Sequence, residues 1–248
     1  MRIVTGLAAS GKTSMLLREI AEKAEANRGR QILLVPELNS HQMERRLAAA
    51  THNHGARTAE GLTFSRLADR VFAVVGGLAQ QMLTPAGQLL TLQEAARRVQ
   101  VGLTAWSGLA DKPELLSETL ALIDECKSCM IEPETLFRAS EESALDEDAA
   151  LSAKLRDLAQ ILTQYDSLCG ETLPDPRDRL THLRDGLAES HVLDGAEVYL
   201  DGFLSYTPQE LAIIEVMLSS GVPLTAAVTC DVELPDVFVT GCRTLRTL

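Results

Sequence analysis

The sequence predicts an α/β protein, in which a parallel sheet of strands alternating with helices is interrupted by a large all-helical insertion. Short apolar or β-branched runs alternate with helical periods at both ends of the chain. The middle of the chain has helical periodicity and no convincing strand. We therefore predict a discontinuous sheet domain from residues 1–77 and 194–248, with a helical insertion domain at 78–193.

The N-terminal part of the chain begins the sheet. The run QILLV contains four consecutive apolar residues and is closed by Pro36, which is typical of a strand buried on both faces of a parallel sheet. The elements expected here are strands at 2–5, 31–35 and 62–64 and helices at 13–26, 40–50 and 65–75.

The insertion reads as helices separated by Gly, Pro and acidic breaks. Asp111 has the character of an N-cap, with Pro113 in the first helical turn. The acidic stretch at 141–148 predicts a connector or an exposed turn. The expected helices span residues 85–101, 112–130, 147–169 and 176–190.

Strand character returns near the C-terminus. Thr207 and Glu210 form a capping-box pattern that opens a helix, which Gly221 is suited to end. Strands are expected on either side of it, at 196–201 and 224–229. The tail after residue 231 carries only weak strand signals, and we expect it to be poorly anchored.

The composition excludes several classes of protein. The chain has 248 residues, of which 46% are hydrophobic and 23% charged, as in ordinary globular proteins. It has no apolar stretch of membrane-spanning length, so we expect no membrane partner. Aromatic residues make up only 4%, which argues against a stacking platform for single strands.

The charge is unevenly distributed. The net charge of −12 excludes a uniformly basic nucleic-acid footprint. Residues 1–70 carry a net charge of +4 and residues 71–248 one of −16. This difference indicates two surfaces with different partners, although a solvated acidic helical face would give the same pattern.

The five cysteines and the absence of signal-peptide features predict free thiols in a cytoplasmic, reducing location. Cys126 and Cys129 form a CxxC inside a helical pattern. Because a zinc site needs a second ligand pair, ordinary helix residues are favoured over metal or redox chemistry.

The N-terminal motif matches GxxxxGK(S/T) in full and lies between a strand and a helix, the context that a phosphate-binding loop requires. Its backbone N–H groups would bind phosphate oxygens, Lys12 would reach the outer phosphates of ATP, and Thr13 would ligate Mg²⁺. A glycine-rich turn of purely structural use is the alternative. The predicted nucleotide-binding residues are Gly6, Leu7, Ala8, Ala9, Ser10, Gly11, Lys12 and Thr13.

Asp201, at the end of the run EVYL, is the candidate for a second Mg²⁺ ligand beside Thr13. Its alternative role is to cap the turn at Gly202. ATP-hydrolysing proteins of this architecture commonly place a Glu after that Asp, whereas glycine can neither accept a proton nor orient water. We therefore predict nucleotide binding with slow or absent hydrolysis and assign no catalytic residue.

Four segments, in this order, resemble the N-terminus of AddB proteins, the B subunits of bacterial ATP-dependent helicase–nucleases. The combinations of LVPE with QMER, and of DGF with TPQE, are the most specific. The resemblance covers essentially the whole chain and is densest in residues 1–75 and 195–230. The segments are GLAASGKT, ILLVPELNSHQMERRL, LTFSRLADRV and AEVYLDGFLSYTPQELAIIE.

The resemblance implies a RecA-like P-loop NTPase domain, with Asp201 as the remnant of its Mg²⁺ site. An active helicase of this superfamily would have DE at 201–202, with Gln and Asp shortly after. This chain has Gly202, Leu204 and Ser205 instead, while Gln209 matches a helicase-motif Gln. The family pattern thus implies an inactivated helicase that still binds ATP and Mg²⁺.

The resemblance also implies a role in DNA double-strand break repair by recombination. The partners would be an AddA-type helicase–nuclease motor subunit and DNA, either single-stranded or at double-strand ends. The nuclease and the iron–sulfur cluster of the family lie far toward the C-terminus of a much longer protein. We expect neither in this chain and expect it to be an N-terminal portion.

In related helicases, loops after the second and third strands contact single-stranded DNA, which here implies residues 36–46 and 63–70. They lie in the basic part of the chain, as phosphate contact requires. Alternatively, Arg45 and Arg46 pair with Glu44 or Glu37 on an exposed helix. The candidates are Asn39, Ser40, His41, Gln42, Arg45, Arg46, Ser65 and Arg66.

Two other functions fit the same motif. A P-loop small-molecule kinase would need arginines over the transferred phosphoryl group, and Arg177, Arg179 and Arg184 are candidates, although aspartates are interleaved with them. A non-catalytic scaffold, whose acidic insertion docks a motor subunit, is the second alternative.

Overall fold

The computed structural model describes residues 1–51, 58–77, 80–145, 148–171, 173–231 and 233–248. Strands and helices alternate at both ends of the chain, and the middle is helical. In chain order the elements are β1 (Arg2–Gly6), α1 (Lys12–Glu25), β2 (Arg30–Leu34), α2 (Ser40–Ala50), β3 (Ala59–Leu62), α3 (Phe64–Val75), α4 (Pro85–Val99), α5 (Pro113–Ser128), α6 (Pro133–Leu145), α7 (Ala149–Glu171), α8 (Arg179–Ser190), β4 (Ala196–Leu200), α9 (Pro208–Ser219), β5 (Leu224–Thr229) and α10 (Val239–Thr247).

The strands form one five-stranded sheet, in the order β1-β5-β4-β2-β3, and every pairing is parallel. Gly6 pairs with Thr229, and Leu200 pairs with both Ala226 and Leu34. The carboxyl ends of these strands therefore meet at one edge of the sheet. The predicted α/β class and the parallel sheet are confirmed.

Helices cover both faces of the sheet. Ile32 and Leu34 of β2 face a core formed with α3, α8 and α9, whereas Leu33 and the next residue after the strand, Val35, face α1 and α2. The side chains of a strand alternate between faces, so a continuous apolar run is needed where both faces are covered. The run QILLV meets that need, as predicted.

Two compact units share the chain. One comprises residues 1–78 with 180–248, and the other comprises residues 79–179. The sequence periodicity places α8 in the insertion, but its Leu183 and Leu187 are buried in the core of the sheet unit. Their spacing of four positions puts both on one helix face, which explains this packing.

The helical unit has its own apolar core, which includes Leu92, Ile123, Ile161 and Tyr165. Cys126 of the CxxC is one of its buried members. Asp157, fully buried, accepts hydrogen bonds of 2.7–3.1 Å from three successive backbone N–H groups of residues 104–106. These bonds satisfy a buried carboxylate that would otherwise be costly.

A buried cation also organises the helical unit. Lys127 at the end of α5 has a side chain only 8% exposed, and its Nζ lies 2.8 Å from Asp166 and 2.7 Å from Asp178. The fully buried Asp175 lies 3.7 Å from the same nitrogen. Burial opposes the charge of Lys127, but the carboxylates outweigh it and raise the lysine pKa.

Three local predictions were wrong. The N-cap of α5 is Lys112, not Asp111, which lies in a preceding 3-10 turn. The acidic stretch at 141–148 is helical through Leu145, because Leu136 anchors α6 in the core; residues 146 and 147 lie outside the described residues. The tail expected to have weak strand character instead forms α10, which buries Cys242 against β5.

Candidate functional site

The segment of residues 6–13, called the glycine loop below, connects β1 to α1. Ala9 and Gly11 have left-handed backbone torsions, with φ of 60° and 90°, and the N–H of Ser10 donates to the carbonyl of Leu7 at 3.2 Å. The loop therefore curls back on itself before α1 begins. The first N–H groups of a helix have no acceptor within the helix, and this concave backbone faces the carboxyl edge of the sheet.

Lys12 folds back across the glycine loop. Its Nζ donates hydrogen bonds to the carbonyls of Gly6 at 2.8 Å and Leu7 at 2.7 Å. The ammonium group of Lys12 is thus held close to the loop by two neutral carbonyl oxygens and not by a carboxylate in either bond. An incoming anion can compete for it more readily than for a lysine in a tight ion pair.

Asp201 follows β4 at the carboxyl edge of the sheet, and its backbone N–H donates to the carbonyl of Leu34 in β2 at 3.1 Å. The strands β2 and β4 are neighbours in the sheet. The chain continues from β2 to β3 on one side and from β4 to β5 on the other side. Ligands of open parallel sheets bind at such a reversal of strand order, outside the carboxyl ends. Asp201 therefore occupies the position where this fold forms binding sites.

The Asp201 carboxyl is buried, and burial raises its pKa. Hydrogen bonds from the Thr13 side chain and the Gly202 backbone, and the positive charges of Arg46 and Lys12, oppose that rise. Within the described residues, Oδ2 of Asp201 accepts no hydrogen bond. An unpartnered buried carboxylate oxygen beside a threonine hydroxyl suits a hard cation such as Mg²⁺.

A cavity of about 390 Å³ brings these groups together. It is lined by most of the glycine loop, whereas Gly6 and Leu7 are outside its lining and accept the hydrogen bonds of Lys12. Its walls come from the glycine loop with the start of α1, from α2 and from the ends of β4 and β5. The lining residues are 8–14, Arg46, 201–204, Ala227 and Thr229.

Another cavity, of about 380 Å³, lies at the amino ends of β4 and β5. It includes Arg28, His191 and Asp194, and the imidazole Nδ1 of this exposed histidine lies 3.1 Å from the Asp194 carboxylate. It contains neither the glycine loop nor Asp201. The cavity at the carboxyl edge is therefore the better candidate site.

Gly202 adopts φ of 83°, in the left-handed region that favours glycine. A Cβ atom there would lie 3.4 Å from Nδ2 of Asn39 and 3.5 Å from Cδ of Pro36. The backbone conformation therefore favours glycine at this position, which is the position where active helicases carry a glutamate.

The residues predicted to contact DNA do not form one group. Glu44 pairs with Arg66 and not with either arginine of α2, and the Ser40 hydroxyl donates to the carbonyl of Glu37 at 2.9 Å. Arg46 lines the cavity with Lys12 and Thr13. The remaining candidates are exposed side chains on the loop before α2, on α2 and at the start of α3; they are Asn39, His41, Gln42, Arg45 and Ser65.

Sequence reasoning missed the contributions of Phe203, Leu204, Ala227 and Thr229 to the cavity wall. The last two belong to β5, and only the strand order places β5 between β1 and β4. Gln209, which matched a helicase motif, is buried and donates to the Thr181 hydroxyl at 3.0 Å.

The arginines considered for a kinase lid have acidic neighbours. Nε of Arg177 lies 2.6 Å from the Asp124 carboxylate, and Arg184 pairs with Asp185 at 2.5 Å. Arg179 also has an interaction partner. Asp185 is one of the aspartates interleaved with these arginines in the sequence, whereas Asp124 lies on α5. These pairs give the kinase alternative no support.

Comparison with known proteins identifies the family. Residues 3–240 match the family model described as "ADDB, N-terminal". The chain belongs to this AddB N-terminal family. The resemblance predicted from the four sequence segments is therefore confirmed.

Relatives of this AddB N-terminal chain share one name, which describes them as the B subunit of an ATP-dependent helicase/deoxyribonuclease. The protein from Symbiobacterium thermophilum is 35% identical over 224 residues, which are 89% of this chain and 19% of the relative. The protein from Acetivibrio thermocellus is 32% identical over 244 residues, covering 96% of this chain and 21% of the relative. The chain spans about a fifth of the length of these relatives.

Three of the four segments typical of AddB meet around the cavity. The glycine loop, α2 and the turn after β4 each contribute lining residues, among them Lys12, Arg46 and Asp201. In the parts of the chain that the structure describes, no helix is both long and apolar enough to cross a membrane.

Proposed function

We propose that this chain is the helicase-like, ATP-binding module of the B subunit of an ATP-dependent helicase–nuclease, with a RecA-like P-loop fold. The observation that carries the proposal is the meeting of Lys12, Thr13 and Asp201 at one cavity on the carboxyl edge of the parallel sheet. The name that the relatives share, which describes a helicase/deoxyribonuclease, supports the same function.

In the proposed complex, the backbone amides of the glycine loop and the N-terminus of α1 bind phosphate oxygens. Lys12 leaves the carbonyls of Gly6 and Leu7 and binds the outer phosphates. Thr13 and Asp201 would hold Mg²⁺, which would neutralise negative charge on the outer phosphates. The unpartnered Oδ2 of Asp201 supports this assignment, because a bound cation would satisfy it.

Hydrolysis is expected to be slow in this module. Gly202 follows Asp201 and offers no group that could orient a water molecule or accept its proton. Its left-handed backbone also favours glycine over a residue with a side chain. The site therefore suits nucleotide binding that stabilises a conformation better than it suits rapid turnover.

DNA binding is the second part of the proposal. The exposed candidates lie on one loop and the starts of two helices at the same edge of the sheet, with Arg45 as their exposed cation on α2. In the full-length protein, an AddA-type motor subunit would supply strand separation. The assembly would then act on DNA ends in double-strand break repair by recombination.

Nucleotide titration tests the central claim. The whole chain is titrated with ATP in the presence of Mg²⁺ by calorimetry, and hydrolysis is then measured on the same sample. We expect saturable binding that Lys12→Ala weakens by on the order of a hundredfold. The exposed Lys154 on α7 supplies the control variant, Lys154→Ala, which should bind like the wild type. Unchanged ATP affinity in Lys12→Ala would refute the proposal.

A further inference from the structure

Arg46 lines the candidate nucleotide cavity, a position that its place in the sequence does not reveal. It lies on α2, whose Met43 and Leu47 are buried in the core shared with α1 and β2. These two anchors fix the rotation of the helix. Arg46 is thereby directed to the cavity of Lys12 and Thr13, while the adjacent Arg45 is not among the described residues that line it.

Arg46 and Asp201 line the same cavity, although they come from different elements of the fold. The neighbouring Glu44 pairs with Arg66, so the acid close to Arg46 in the sequence is already engaged. The fold therefore places Arg46 at the cavity that the residues after β4 also line.

We propose that Arg46 is a phosphate-binding residue of this cavity, which contacts the outermost phosphate of a bound nucleoside triphosphate. The inference rests on the proposed function, since it names a further residue of the same nucleotide site. It differs from the DNA contact that the position of Arg46 in the sequence suggested.

The arrangement of charges supports the outermost phosphate as the ligand. The glycine loop and Lys12 lie on the β1 side of the cavity, whereas Arg46 comes from α2, after β2. Thr13 and Asp201 would hold Mg²⁺, which would neutralise charge on the outer phosphates. Arg46 shares the cavity with these two residues and would meet the outermost phosphate from the α2 side.

Arginine has the chemistry for this contact. Its planar guanidinium is always charged and donates paired hydrogen bonds that match two phosphate oxygens. A triphosphate carries more negative charge than Mg²⁺ and a single lysine neutralise, so a second cation would stabilise ATP more than ADP. Arg46 would thus make the site discriminate between the two nucleotides.

The test compares Arg46→Gln with Arg45→Gln, a matched change at the adjacent exposed position. The affinities of the whole chain for ATP and ADP are measured by calorimetry with Mg²⁺, and that for an oligo-dT single strand by fluorescence anisotropy. We expect Arg46→Gln to weaken ATP binding by on the order of tenfold and ADP binding by about twofold or less. Arg45→Gln should leave both nucleotide affinities unchanged and weaken DNA binding.

Arg46→Lys keeps the charge but loses the paired geometry, and it should retain an intermediate ATP affinity. An Arg46→Gln protein with wild-type ATP affinity overturns the inference, as does an equal loss for ATP and ADP or a loss confined to DNA. Lys12→Ala separates the two proposals: if it abolishes ATP binding while Arg46→Gln does not alter it, only the role of Arg46 fails. If the wild type binds no nucleotide, the proposed function itself fails.

Discussion

Thr13 and Asp201 line the same cavity, and the Thr13 side chain helps to hold down the pKa of the Asp201 carboxyl, although the two residues lie far apart in the chain. One opens α1 and the other follows β4, and the parallel sheet brings both to its carboxyl edge. The helical unit of residues 79–179 intervenes between them in sequence. The site therefore exists only when the two ends of the chain have formed one sheet.

Asp201→Asn should weaken the Mg²⁺-dependent binding of ATP by about tenfold or more, because the neutral amide is a poorer ligand for a hard cation. Without nucleotide, the same variant should be at least as stable as the wild type, since it removes a buried charge. Calorimetric titration and thermal unfolding measure the two effects. Loss of stability without loss of Mg²⁺ dependence would contradict the metal-ligand role.

The Asp201 carboxyl also gives a pH dependence with a defined sign. Burial raises its folded-state pKa above the ordinary value, so in the window between the two the native state binds more protons than the unfolded chain. The free energy of unfolding should therefore fall as pH rises through that window. Asp201→Asn should lack this contribution, which denaturant titrations of both proteins at several pH values would reveal.

Gly202→Glu should not produce an active ATPase, although it restores the acid that active helicases carry after the Asp. The left-handed φ of 83° costs a side-chain-bearing residue about 1–2 kcal/mol, whereas its Cβ would make only ordinary contacts with Pro36 and Asn39. Gly202→Ala is the control, and it should lose a similar amount of stability. Chemical unfolding and phosphate release are the measurements, and rapid turnover in Gly202→Glu would show that the missing glutamate alone limits hydrolysis.

Lys127→Met should destabilise the helical unit by about 3–5 kcal/mol, because it leaves buried carboxylates without their cation. Asp175 has no exposed surface, and Asp166 and Asp178 lie within 2.8 Å of the lysine Nζ. Asp178→Asn should cost less, since the Asp178 side chain is 30% exposed. If Lys127→Met and the wild type had equal free energies of unfolding in urea titrations, the cluster of charges would make no net contribution to stability.

Much of the sheet unit was predictable because its signals are local. The glycine loop, the run QILLV and the capping box each depend on a few neighbouring residues. The capping box is present as predicted: the N–H of Glu210 donates to the Thr207 hydroxyl at 3.2 Å, and the N–H of Thr207 donates to the Glu210 carboxylate at 2.8 Å. Such contacts form within one turn of backbone, so the sequence carries them directly.

The errors arose where tertiary packing decides. Helix α10 is stabilised by burying Cys242 against Val228 of β5, a contact that no local pattern in the tail announces. Helix α8 has the same periodicity as the helices before it, yet Leu183 and Leu187 pack in the sheet unit. Amphipathic periodicity predicts that one face of a helix will be buried, but it does not predict which element will cover that face.

The family, the parallel α/β class and the loop that includes Lys12 and Thr13 could all be inferred from the amino-acid order. The position of β5 between β1 and β4, the presence of Arg46 but not Arg45 in the described lining of the cavity, and the left-handed conformation of Gly202 became visible in the folded chain. The reason is physical: a motif fixes the torsions of neighbouring residues, whereas strand order and helix rotation are set by which distant apolar faces pack together.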